Sequence, residues 1–209
     1  MGGFWFFWTM WLVVLYLTFF YDSKVRSYYL SFLFVIMIVT LFSFDLYDVT
    51  INSGAVLLLL FGYWLLRKEN KIPLFKTMLL SVGIALLCGW LEFVYYYEPV
   101  WMLYSHSVTS IVLISALVIF LGKRLRYRLS ALLTGYFQGQ IGFYFFLMVT
   151  SRAGPEMYVI GSLESLNVFA LSFLVVSLFN GVEWMATRLR ERVLSSLGPG
   201  YIQPKKVNV

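Results

Sequence analysis

Cysteine and histidine occur once each in this chain, as Cys88 and His106. A lone cysteine excludes an intramolecular disulfide and a thiolate cluster, and one imidazole beside one thiol leaves a zinc or haem site short of its usual donors. No metal and no cofactor are expected. Charge is also scarce: Asp, Glu, Lys and Arg make up 12% of the residues, against about a quarter in soluble domains. Catalytic signatures are missing as well, with no GxSxG, no HExxH, no paired-glutamate motif with its arginine and no phosphate-cradling glycine loop. Ser105 and Ser107 flank His106, but neighbours on a helix point to different faces, so they make no nucleophile and base pair. No enzyme activity is expected. Lysine is absent from the last apolar stretch, which excludes a retinal-type Schiff base there.

What the chain does contain is apolar surface. Hydrophobic residues reach 61% and aromatics 20%, with a mean hydropathy of +0.82. A membrane-crossing helix needs roughly 20 mostly apolar residues to span about 30 Å of hydrocarbon. The 209 residues hold seven such stretches with short connections: Gly3 to Tyr21, Tyr28 to Phe44, Ser53 to Leu66, Thr77 to Tyr97, Val100 to Leu121, Ser130 to Thr150 and Val159 to Val182. The expected fold is an all-α polytopic bundle over residues 1–182, because a helix closes its own hydrogen bonds in lipid. The third stretch is short, so it either recruits Val49 to Asn52 or thins the bilayer locally. The aromatic opening carries no basic leader and runs past signal-peptide length, which predicts a retained first span.

Basic residues then orient the bundle. Lys24 and Arg26 fall in the first gap, Arg67, Lys68, Lys71 and Lys76 in the third, and Lys123, Arg124, Arg126 and Arg128 in the fifth. Arg188, Arg190, Arg192, Lys205 and Lys206 follow the last span, while the intervening gaps hold only Arg152. By the positive-inside rule the basic end is cytoplasmic, the N-terminus outside and the C-terminus inside. Trp5, Trp8 and Trp11 at one end, with Tyr28, Tyr29, Tyr63, Trp64 and Tyr127 at the other, fit aromatic belts. The net charge of +6 is divided among short loops, so the expected partners are anionic lipid headgroups and the bilayer, not nucleic acid. Residues 183–209 read as a cytoplasmic amphipathic helix, with Met185, Leu189 and Val193 at fourfold spacing among arginines. It is followed by Gly198, Pro199 and Gly200 and a loose tail.

Ionisable groups within spans are costly and face other helices, and here they are Glu92, His106 and Glu164. At about 1.5 Å per residue all three fall about 8 to 10 Å below the outer boundary. Ser81, Ala85, Cys88, Gly89 and Glu92 form one stripe, His106, Thr109 and Ser110 another, and the Glu98-Pro99 turn makes these two spans a hairpin. On the sixth span Gly135, Gln138, Gly139 and Gly142 share a face that includes a GxxxG, with Gln138 near the midplane. Gly161, Glu164, Ser165 and Ser172 form a similar face on the last span. Two readings of Glu92, His106, Glu164 and Gln138 stay open. In one they are hydrogen-bonded glue between helices, and in the other they line an outward cavity of a small permease or proton-linked binding protein.

The opening FWFFWTMWLVVLYLTFFYDSKVR, an aromatic span followed by a brief basic turn, resembles the start of the YphA-type multi-span proteins of Bacillus and related Gram-positive bacteria. The likeness is most specific over the first 26 residues, and beyond them it rests on size and span layout. It implies a bacterial plasma membrane location and carries over no activity and no functional residue. Reporters fused after Asp48 and after Arg126 are expected to mark opposite compartments, and a shared compartment would overturn the alternation of gaps.

Overall fold

The computed structural model describes residues 2–46, 49–67, 71–97, 105–122, 124–150 and 158–196. Within them lie seven helices: α1 (Phe4–Phe20), α2 (Ser23–Val39), α3 (Ser53–Arg67), α4 (Lys71–Tyr97), α5 (His106–Leu121), α6 (Leu125–Thr150) and α7 (Leu163–Ser196). Three short strands, β1 (Ser43–Leu46), β2 (Val49–Asn52) and β3 (Val159–Ile160), complete an otherwise all-α fold. The Glu98-Pro99 turn, Lys68, Lys123, Arg152 and the tail from Gly198 onward lie outside the described residues. Among the described residues three helical segments are long and apolar enough to cross a membrane: Leu74–Tyr97, Leu125–Thr150 and Leu163–Val193. Large apolar side chains cover the outside of the molecule, among them Phe120 at 86% and Val149 at 87% exposed. That surface is the inverse of a domain folded for water.

The strands correct the expected boundaries. Val49 to Asn52 is not drawn into α3. Val49, Thr50 and Ile51 are β-branched, and they pair antiparallel with Ser43–Leu46 and parallel with Val159–Ile160. Val159 and Ile160 are strand rather than the start of the last helix, and Phe44 belongs to β1 rather than to α2. Asn52, buried at the end of β2, donates from its amide to the Thr40 carbonyl at 2.9 Å. Its Oδ1 accepts from the Gly54 N–H at 2.9 Å, satisfying one of the free amides that open α3. Gly161, with φ of +73°, turns the chain from β3 toward α7 in a conformation that disfavours any side chain.

Helix α6 is the axis of the bundle, buried without interruption from Ser130 to Phe137. Its Gly135 and Gly139 lie against the stripe of small residues on α4. A Cβ at Gly139 would meet Cys88 Cβ at 2.6 Å and the Ala85 carbonyl at 2.7 Å, and one at Gly135 would meet Ile84 Cβ at 2.7 Å. Only glycine allows the two backbones this close. On another side of α6, Gly62 of α3 packs against Leu133 and Thr134. Towards α7, Phe137 meets Phe169 with ring centroids 5.4 Å apart, and the Tyr136 hydroxyl donates to the Ser165 carbonyl at 2.8 Å. Helix α1 is held to α7 by its Phe6 N–H, which donates to Asn167 Oδ1 at 3.0 Å.

Contacts sort the helix termini into two ends. The β2–β3 pairing joins the start of α3 to the segment between α6 and α7. At the opposite, basic end Arg126 of α6 donates to the Leu65 carbonyl of α3 at 3.3 Å. Arg128 meets Glu183 of α7 there at 2.8 Å. Arg128, read from the sequence as a loop cation, is instead inside α6 and only 3% exposed. Its Nε donates to the Gly122 carbonyl at 2.8 Å and an Nη to the Ile119 carbonyl at 3.2 Å. These are acceptors left over at the C-terminus of α5, where a cation is also favoured by the helix dipole. Phe179 lies under the guanidinium at 5.5 Å.

Since Glu183 is 51% exposed while Arg128 is buried, the two partners should not be equivalent. Arg128→Met is expected to cost about 1.5–3 kcal/mol through the lost charge-assisted bonds to carbonyls. Glu183→Gln is expected to cost less than about 1 kcal/mol. Equilibrium unfolding in mixed micelles compares them, and equal losses would mean that the ion pair alone holds this joint.

Candidate functional site

Helix α4 carries Glu92 one turn before its end, and α5 begins at His106. The antiparallel arrangement brings Glu92 Oε1 to 3.5 Å from His106 Nε2, with the side chains 21% and 20% exposed respectively. Tyr95, three residues beyond Glu92 and so on the same helical face, stacks on the imidazole at 4.4 Å between centroids and 29° between planes. The ring is thus fixed from α4 by a carboxylate and an aromatic face.

Behind the pair lies a cavity of about 10 Å³, bordered by Glu92, His106, Cys88, Ser110, Tyr136 and Gln140. Such a space is about the size of one water molecule. Two of its polar atoms, His106 Nδ1 and Ser110 Oγ, are buried without a hydrogen-bond partner. Gln140, 2% exposed, accepts the Gly161 N–H on its Oε1 at 2.9 Å and so anchors the turn before α7. Tyr158, just before β3, has its hydroxyl pushed above the ordinary tyrosine range, mainly by burial and further by the nearby Glu92 carboxylate. Among the described residues no group of three or more His, Cys, Asp or Glu side chains could hold a metal ion.

Gln138 and Glu164 lie elsewhere. Gln138 accepts from Ser81 Oγ of α4 at 3.2 Å and donates to the Tyr63 hydroxyl of α3, tying three helices together one turn from the cavity. Ser81 also exchanges a 2.8 Å hydrogen bond with Thr134 of α6. Glu164 was expected well inside the last span at the level of Glu92 and His106. The Gly161 turn delays α7 to Leu163, so Glu164 is exposed in the first helical turn and does not border the cavity. A carboxylate there is favoured by the helix dipole instead. Sequence reasoning missed Gln140, Tyr136, Tyr95 and Arg128. Of these, Tyr95 had a readable signal, its i+3 spacing from Glu92.

The family model described as YphA-like integral membrane protein matches residues 2–199. No curated protein and no solved structure matches the chain.

Burial separates the thiol from the carboxylate positions in a way that labelling reads directly. Cys88 is 4% exposed and is expected to resist a membrane-impermeant maleimide in the folded protein. In a Cys88→Ser background, Glu164→Cys is expected to label readily from the sheet end of the bundle. Prompt modification of Cys88 would show an open, water-filled route to the cavity.

Proposed function

Because the chain belongs to the family of YphA-like integral membrane proteins, we propose that all seven helices cross the plasma membrane of a bacterium. On this reading the basic end faces the cytoplasm, the N-terminus lies outside and the protein has no catalytic role. Helices α1, α2, α3 and α5, of 17, 17, 15 and 16 residues, cross by local thinning of the bilayer. The division of helix ends into a sheet end and a basic end supports the alternation that seven crossings require. Anionic headgroups are the partners of the exposed Arg67, Arg124, Arg188, Arg190 and Arg192. The stretch from Glu183 to Ser196 continues α7 without a break and has Arg188 over the Trp184 ring at 5.4 Å, as suits a helix at a headgroup layer.

The biochemical role we propose is that of a non-catalytic membrane protein whose polar side chains hold the bundle together. One observation carries it: two sets of polar side chains link helices to one another, and the cavity between them is too small for a solute. Tyr63, Gln138, Ser81 and Thr134 form one chain of bonds, Glu92 and His106 another, and the space between them and Ser110 admits a single water.

A second reading, proton-linked binding, is favoured by the two unpartnered atoms His106 Nδ1 and Ser110 Oγ beside that space. An imidazole paired on one nitrogen, with a space the size of one water beside the other, is the geometry this reading requires. Glu92→Gln distinguishes the two. Under the bundle-holding role the variant keeps its expression level and loses about 0.6 kcal/mol, the mean for hydrogen bonds between membrane helices. Wild-type proteoliposomes then pass no protons as read by an internal pH dye. An acid-stimulated flux in the wild type that disappears in Glu92→Gln would replace that role with the proton-linked one.

A further inference from the structure

A groove between α2 and α3, remote from the polar cluster, has a lining that changes character along its length. It encloses about 220 Å³ and opens outward, toward the surroundings of the bundle. The hairpin β1–β2 makes α2 and α3 antiparallel, so Tyr28 and Tyr29 at the start of α2 lie at the same, basic end as Trp64 near the end of α3. Leu57 and Leu60 line the groove toward the sheet end, with Leu57 about 10 Å along the axis from Trp64. Phe32 and Phe61 make the wall between, 4.9 Å apart, and Phe61 stacks on Trp64 at 5.6 Å. The groove is thus aliphatic at depth, aromatic in the middle and tipped with hydroxyl and indole groups at its mouth.

Two arginines belong to the same end of these helices, next to the lining residues in sequence. Arg26 precedes Tyr29 by three residues, which sets the two on one face of α2, and it donates one Nη to the Thr18 carbonyl at 3.0 Å beside the end of α1. Arg67 follows Trp64 by three residues and is exposed. An occupant must be apolar along about 10 Å, tolerate hydroxyl donors next, and carry negative charge at the basic end. A second copy of this chain meets the first requirement and fails the last, because a parallel pair would bring two basic mouths together.

We infer that the α2–α3 groove is a binding site for one anionic glycerophospholipid, with an acyl chain along Leu57, Leu60, Phe32 and Phe61 and its phosphate between Arg26 and Arg67. Apolar contact alone does not select this molecule, since lipid tails are as apolar as the groove. Selection comes from the headgroup, as in other basic sites between membrane helices. The site rests on the reading that α2 and α3 lie in the bilayer.

The test uses the full chain in phosphatidylcholine vesicles doped with either phosphatidylglycerol or phosphatidylcholine carrying a diazirine on one acyl chain. After illumination, labelled peptides are mapped by mass spectrometry. Phosphatidylglycerol label is expected to concentrate on residues 28–32 and 57–64, roughly fivefold above the choline lipid, the factor that about one nearby cation contributes. Arg26→Gln with Arg67→Gln is expected to remove that preference, and Leu60→Trp to exclude both lipids from the groove. Equal labelling by the two lipids in the wild-type chain would overturn the site, as would label spread evenly to Phe120 and Val149 or cross-links to a second copy. Absence of all acyl label from α2 and α3, with label on α4 and α6, would instead overturn their placement in the bilayer.

Discussion

In hydrocarbon, two helices gain nothing by hiding apolar side chains from a solvent that is equally apolar, so association depends on close backbone packing and on polar groups meeting. The α4–α6 contact is where this chain meets that requirement. Gly135 and Gly139 give α4 direct access to the α6 backbone, and Ser81, Ala85 and Cys88 keep the approaching face small. With α6 so enclosed, its other faces determine where α3, α5 and α7 sit. Gly62 brings α3 in, Phe137 meets Phe169 of α7, and Arg128 reaches the end of α5.

Polar chemistry in the bundle divides by depth. Near the basic end Arg128 is surrounded by carbonyls and a carboxylate, with its charge answered from three sides. In the middle, hydroxyls and an amide link α3, α4 and α6. Near the sheet end Glu92 and His106 pair at a longer distance, with two atoms beside them lacking partners. Unpartnered hydroxyls occur in the middle of the bundle too, at Ser115 and Ser172. The Arg128 cluster at the basic end is the fully bonded one, and the Glu92–His106 pair has open hydrogen-bonding positions beside it.

Much of this was legible in the residue order, for reasons that differ by element. Helices α4, α6 and α7 follow from long apolar runs, and the three-and-four spacing of Ser81, Ala85 and Cys88 and the GxxxG of α6 each mark a face for another helix, without saying that the two faces meet. The approach of Glu92 to His106 follows from their equal depth on a hairpin. The strands were not legible, because Val49, Thr50 and Ile51 are as apolar as a helix end and hydropathy does not distinguish the two over so short a run. Arg128 looked like its neighbours in a basic gap; its burial depends on carbonyls of α5 that only the folded chain supplies. Glu164 was misplaced because the Gly161 turn shifts the start of α7 toward its C-terminus, and Gln140 was passed over for Gln138, which shares the glycine face.

The pairing of β2 with β3 and the bond from Phe6 to Asn167, 161 residues apart, have a consequence for biogenesis. A ribosome adding 5–20 residues per second needs roughly ten to thirty seconds to travel that distance. Through that interval α1 lacks its Asn167 partner, and over the shorter stretch between Thr50 and Val159 the β2 edge that β3 will take stays unpaired. Synthesis of β3 and α7 closes these contacts, so a chain stalled before them keeps both vacancies open and offers quality-control proteases a recognisable difference from the folded protein.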